Sequence, residues 1–281
     1  MRFGTIVVCG GGCYGGYYVR QLARAVAAGA ATVERILVVD RDPLCRVRHL
    51  VDAIGHGDRM AMQEHAWRQR RVGVDEGDAV AVNEYVGLPI EFVAMEWEPF
   101  FQEWFGAAIE HPERAGFDAV VPSPLMPHLL ADWVAHRLRV HRPDGAVARV
   151  TMRVVPETPW RREGADLAHY ASFATWMCPI NCIEPPRCPE TRGPRDWTMP
   201  LAVRAAVAAA EAQGEPYHAV IVFHTTHRVF GVGMFDVADA IAADAEVRVK
   251  AVRRTTLHTL VASVSHCHGA MAVLRSEQEA I

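Results

Sequence analysis

Apolar and polar positions alternate with two periods along this chain, and the switches between them predict an order of strands and helices. An apolar strand at residues 6–9 runs into the glycine cluster Gly10-Gly11-Gly12-Cys13-Tyr14-Gly15-Gly16, a helical pattern follows, and a second apolar strand ends on Asp40. Residues 43–54 carry Leu44, Val47, Leu50, Val51 and Ile54 on one helical stripe. Residues 55–87 are polar, and Arg68-Gln69-Arg70-Arg71 within them reads as a solvated helical face. A third strand is predicted at 90–95. A helix at 96–109 follows, with Trp97, Phe100, Phe101, Trp104 and Phe105 at helical spacing. Such a stripe is core or subunit interface before it is a cofactor surface. A fourth strand at 117–122, a helix at 129–138 and an alternating strand at 148–154 complete the first half.

Beyond Pro156 the pattern breaks. Residues 156–200 are rich in Pro, Arg, Trp and Cys, and only 165–177 reads as helical. Regularity returns with an alanine-rich helix at 201–213 and a strand at 219–223. A local echo follows: histidine, apolar strand, paired histidines and a second apolar run occur at 218–235 and again at 258–274, with a helix at 237–243 between them. Each copy reads as a strand–turn–strand unit; two copies are too few for a repeat architecture. The boundaries drawn are 1–155, 156–200 as a Cys/Pro-rich metal-binding segment, and 201–281 as a smaller α+β region with histidine-bearing hairpins.

Gly10, Gly12 and Gly15 have the spacing G-x-G-x-x-G between a strand and a helix, the context that gives the motif meaning. The first 155 residues therefore resemble the Rossmann NAD(P)-binding superfamily, a doubly wound, mainly parallel α/β sheet. The resemblance implies that the glycine turn and the helix start cradle a pyrophosphate, while Asp40 accepts from a ribose diol. Asp40 suits the free 2′-hydroxyl of NAD and Arg41 a 2′-phosphate of NADP, so both remain open. The resemblance also places Ser123, in the loop after the fourth strand, beside the nicotinamide. The S-adenosylmethionine-binding variant also uses a glycine turn and an acid, but its helices usually precede the first strand.

Two further groups carry candidate chemistry. Cys178, Cys182 and Cys188 are spaced C-x3-C-x5-C in a proline-stiffened loop, and Cys267 is a candidate fourth ligand. The spacing is neither the C-x2-C of zinc ribbons nor the C-x3-C-x2-C of radical enzymes. A loop without regular structure nonetheless needs something to hold it, and thiolate bonds to an iron–sulfur cluster or zinc are expected to do so. His224, His227, His266 and His268 sit in the two paired-histidine turns, where a neutral imidazole can transfer a proton. If residues 266–268 are extended, Cys267 points away from both neighbouring histidines.

Composition narrows the classes. The 29 basic and 33 acidic residues give no electrostatic case for nucleic acid or a charged membrane surface. No apolar run approaches the roughly 18 residues of a membrane span, and no signal-peptide layout opens the chain, so a cytoplasmic location is expected. An odd count of seven cysteines does not fit a disulfide framework. The leading expectation is an NAD(P)-dependent oxidoreductase with an iron–sulfur or zinc site, acting on a small-molecule substrate and self-associating through helix 96–109. The alternatives are an S-adenosylmethionine-dependent transferase, and a non-catalytic metal or redox sensor or metallocofactor-assembly protein.

Overall fold

The computed structural model describes residues 1–70, 82–124, 126, 128–174 and 178–278, with the side chains of 67–70 excepted. The first elements are β1 (Arg2–Cys9), α1 (Cys13–Ala27), β2 (Thr32–Asp40), α2 (Arg46–His56), α3 (Arg59–Arg70), β3 (Ile90–Ala94) and α4 (Trp97–Glu110). Then come β4 (Ala119–Val121), α5 (Leu129–His141), β5 (Ala146–Val150), β6 (Trp160–Glu163), β7 (His169–Ser172) and α6 (Met199–Ala212). The last are β8 (Ala219–His224), β9 (Thr226–His227), β10 (Gly233–Asp236), α7 (Val237–Arg253), β11 (Thr256–Val264) and β12 (His268–Glu277). The fold is mixed α/β, with parallel and antiparallel pairing in both sheets. Among the described residues no helix is long and apolar enough to cross a membrane.

The chain forms two compact units that interleave in sequence: Met1–Leu125 with Pro179–Ile183 and Thr226–Ala238, and Met126–Cys178 with Glu184–Thr225 and Asp239–Ile281. In the first, the sheet order is β3-β2-β1-β4-β10-β9. β1 pairs in parallel with β2 and β4, and β2 with β3, whereas β10 runs antiparallel to β4 and β9. Ile6, Val7 and Val8 have no solvent exposure, as expected of a central parallel strand covered on both faces. Val19 and Leu22 of α1 join Ile6, Val8, Ile36, Val38 and Leu50 in one core cluster. Of the aromatic stripe on α4, Phe100, Phe101 and Phe105 are buried, and Trp104 lies under the Arg35 guanidinium. Of the basic group at 68–71, Arg71 and the side chains of the other three lie outside the described residues.

In the second unit the order is β6-β7-β12-β11-β8, with β5 also paired to β12. β11 and β12 form the predicted hairpin, and β8 lies parallel to β11. Two expectations change here. Residues 165–177 were expected to be helical, but they contain β7, whose His169–Ser172 pair across to β12; a non-local ladder overrides a weak local preference. The 218–235 segment is not a strand–turn–strand unit either, because β8 belongs to this sheet and β10 to that of the first unit.

Within the second unit Asp244 of α7 is 3% exposed, and its Oδ1 accepts from Arg137 Nε and His141 Nε2 of α5, each at 2.7 Å. Burial pushes this carboxyl upward, but the hydrogen bonds and charges of Arg137 and His141 outweigh it and hold it below its usual value. Unfolding raises that value back toward about 3.9, so the unfolded chain binds the proton first. The stabilisation is therefore present above that pH and is lost as pH falls through the lower folded value. Asp244→Asn is expected to cost about 3 kcal/mol at pH 7 and to flatten the acid limb of stability, as read by urea unfolding from pH 7 down to pH 3.

Candidate functional site

On the first unit, the chain leaves β1 at Cys9, turns through Gly10–Gly12 and enters α1. Gly10 has φ +99°, a conformation that side-chain-bearing residues avoid, and its N–H donates to Val39 O at 2.8 Å. A Cβ on Gly15 would stand 1.7 Å from Gly10 O, so the first turn of α1 and the glycine turn touch backbone to backbone. Gly12 is exposed, and a Cβ there would meet nothing within 4 Å.

Asp40 ends β2 with its carboxylate turned into the same turn. Oδ2 accepts from Gly11 N–H at 2.6 Å and Oδ1 from Asp42 N–H at 2.9 Å. A carboxylate has about four acceptor positions, so these bonds orient the group without saturating it. Arg41 and Glu96, both exposed, form an ion pair at 3.8 Å. Two residues that the sequence pattern did not assign to the site complete its walls. Trp97 donates from Nε1 to Val39 O at 2.8 Å and lays its ring against Gly10, and Cys45 packs on Gly11. Their signal was positional: each follows a strand of the same sheet edge, Trp97 after β3 and Cys45 after β2. Ser123 is buried just past β4, and its backbone hydrogen-bonds the Cys9 sulfur; burial nonetheless pushes that thiol up to about 12.

On the second unit, polar side chains gather at the β11–β12 turn. Ser265 Oγ accepts from the N–H groups of Cys267 and His268, each at 3.3 Å, and tightens the turn. His268 opens β12 directly opposite Ser172 of β7. That cross-strand register sets His268 Nδ1 2.9 Å from Ser172 Oγ, and His268 Nε2 stands 3.2 Å from Cys178 Sγ. Glu184, with a left-handed backbone (φ +56°), accepts His266 N–H at 3.1 Å. His224, at the end of β8, pairs in register with Val264. Burial holds its imidazole below the usual value; Glu184 and Asp239 pull it upward, and His266 and Arg204 push it down. His266 and His268 lie half-buried on the β11–β12 turn.

The remaining predicted residues are dispersed. His227 lies on β9 and Cys182 in the segment Pro179–Ile183, both in the first unit. Cys267 is buried in the hairpin turn, where its carbonyl accepts Phe173 N–H. Cys188 is also buried. Burial works upward on its thiol, but hydrogen bonds from Thr191, Glu190 and Arg195 outweigh this and hold it below its usual value. Among the described residues no group of three or more His, Cys, Asp or Glu side chains is placed to hold a metal ion. Cys178 stands in a pair with His268.

Comparison with curated proteins and with solved structures finds no match. The model of the AF_1314_C family, described as "Uncharacterized protein, C-terminal domain", matches residues 130–277, more than half of the sequence, and the chain belongs to that family.

Proposed function

We propose that the first unit binds NAD in a Rossmann-like manner and that the protein is an NAD(P)-linked oxidoreductase. The observation that carries this reading is the Asp40 carboxylate, tied by Gly11 N–H to the glycine turn at the carboxyl end of β1. The parallel order β3-β2-β1-β4 supports it, since ligands of such sheets lie outside the strand ends where the order reverses, here between β1 and β4. Past β4 the antiparallel β10 departs from a doubly wound continuation.

The residues present fit the cofactor. Gly12 leaves the backbone open to a pyrophosphate, and α1 starts with no acidic side chain in its first turn to oppose one. Asp40 keeps acceptor positions for a ribose diol and would repel a 2′-phosphate, while Arg41 is engaged with Glu96. Bound NAD supplies hydride transfer; the chain supplies binding and orientation.

The test is calorimetric titration with NADH, NADPH and S-adenosylmethionine on the full chain. NADH is expected to bind at least tenfold tighter than NADPH. Gly12 is the N-cap of α1, and a Cβ there meets nothing within 4 Å, so Gly12→Val is expected to cost about 1–2 kcal/mol as a poorer cap, leave the protein folded, and weaken NADH at least tenfold. Binding of S-adenosylmethionine in place of NADH would move the protein to the transferase class. No binding of any of the three by folded protein would end the nucleotide reading.

A further inference from the structure

The β11–β12 turn of the second unit presents a sulfur, an imidazole and a hydroxyl in a line. Cys178 Sγ is 3.2 Å from His268 Nε2, and His268 Nδ1 is 2.9 Å from Ser172 Oγ. Ser172 is fully buried, whereas Cys178 and His268 are only partly covered. The orienting end of the line is thus inside the protein and the thiol end reaches solvent.

The hydroxyl fixes the ring. Ser172 Oγ accepts Ala174 N–H at 3.0 Å, which occupies one of its two acceptor positions. We assign His268 Nδ1, 2.9 Å from the same oxygen, as a donor to it. That assignment, made from the hydrogen-bond network, leaves the Nε2 lone pair facing Cys178. A nucleophile, a base and a third group that orients the base are the three parts that thiol and hydroxyl nucleophiles need. Here they come from β7, β12 and the segment entering the proline-rich loop, and all three lie inside the span matched by the family. The strand register that places His268 opposite Ser172 makes that pair a property of the sheet, and Cys178 reaches it from the adjoining loop.

We propose that Cys178 is a nucleophile that takes up an acyl group, with His268 as its general base and Ser172 as the residue that positions the ring. The thiol proton moves to His268 Nε2 as Sγ bonds to the acyl carbon. The bond from that carbon to its leaving group breaks, and the leaving group departs with the proton from His268. The product is an S-acyl Cys178 and the protonated leaving group, with no oxidant or reductant consumed. Water or another acceptor, deprotonated by the same Nε2, then cleaves the thioester and restores the thiol. This activity is independent of nucleotide binding on the first unit.

The test uses the full-length protein and p-nitrophenyl acetate as the acyl donor, with peptide mapping to locate the acetyl group. A stoichiometric burst of p-nitrophenolate is expected, with acetyl on Cys178 ahead of the other partly exposed thiols, Cys13 and Cys182. Cys178→Ala removes the burst, and His268→Gln slows it about a hundredfold, the scale of a lost general base. Ser172→Ala slows it several-fold and shifts its pH profile, while Ser172→Thr, which keeps the hydroxyl, restores both. The proposal is overturned if wild-type protein is acetylated equally at all three thiols, or if His268→Gln leaves the burst on Cys178 unchanged. It is also overturned if purified protein carries zinc whose removal is required before Cys178 reacts, because Cys178 is then a ligand.

Discussion

Gly15→Ala is expected to unfold the first unit. A methyl group at Gly15 would stand 1.7 Å from Gly10 O and 2.7 Å from Gly10 C. Both atoms are backbone, so no rotamer change relieves the clash; α1 must move away from the glycine turn. The cluster that joins Val19 and Leu22 to Ile6 and Val8 would open with it. A loss of more than about 4 kcal/mol is expected, at the extreme end for one substitution. Hydrogen exchange locates the damage: protection should fall across β1, β2 and α1 and persist in β11 and β12. A wild-type melting temperature in Gly15→Ala protein would show that this contact is not made. Set beside Gly12→Val, the pair separates two roles, since Gly15 holds the fold and Gly12, in the proposed reading, leaves room for the nucleotide.

Arg142→Met should be nearly as damaging to the second unit. Arg142 is 1% exposed, and its guanidinium donates to Thr255 O, Ser276 O and Oγ, Ala251 O and Arg254 O. It thereby satisfies carbonyls at the end of α7 and ties them to β12, with its positive charge at the negative end of that helix. Burial lowers the pKa of the group, yet the surrounding acceptors make the charged fork the form that fits. Methionine fills much of the volume but abandons several buried acceptors, for an expected cost of about 3 kcal/mol. Arg142→Lys should recover only part of this, because an ammonium cannot span acceptors arranged for a planar fork. Urea unfolding of the three proteins checks the ranking; equal midpoints for Met and Arg would mean that the network contributes nothing net.

Local features were legible wherever one segment could declare itself. β1, the glycine turn, α1 and β2 ending on Asp40 follow from a continuous apolar run, a glycine cluster and a helical stripe. The β11–β12 hairpin follows from two apolar runs either side of Ser265-His266-Cys267. β7 was not legible, because its residues 169–172 carry no alternation strong enough to outweigh the alanine content of 165–177; their strand form comes from β12, about a hundred positions later. The pairing of Cys178 with His268 was hidden for the same reason, since it depends on Ser172 finding its register partner. The histidine echo misled because similar local patterns end in different sheets: β8 adds to β11, and β10 to β4.

That last pairing bears on how the protein is made. β4 is complete at Val121, but β10, its antiparallel neighbour, ends at Asp236. At synthesis rates of roughly 10 residues per second, the first unit would wait roughly 10 s with that edge of β4 uncovered. An unpaired apolar strand edge is a template for association with other chains. Long-range closure of this kind also slows folding, because loop entropy must be lost before the pairing compensates. Yield should therefore respond to slower translation, lower temperature or chaperone supply more strongly than the stability of the finished fold would suggest.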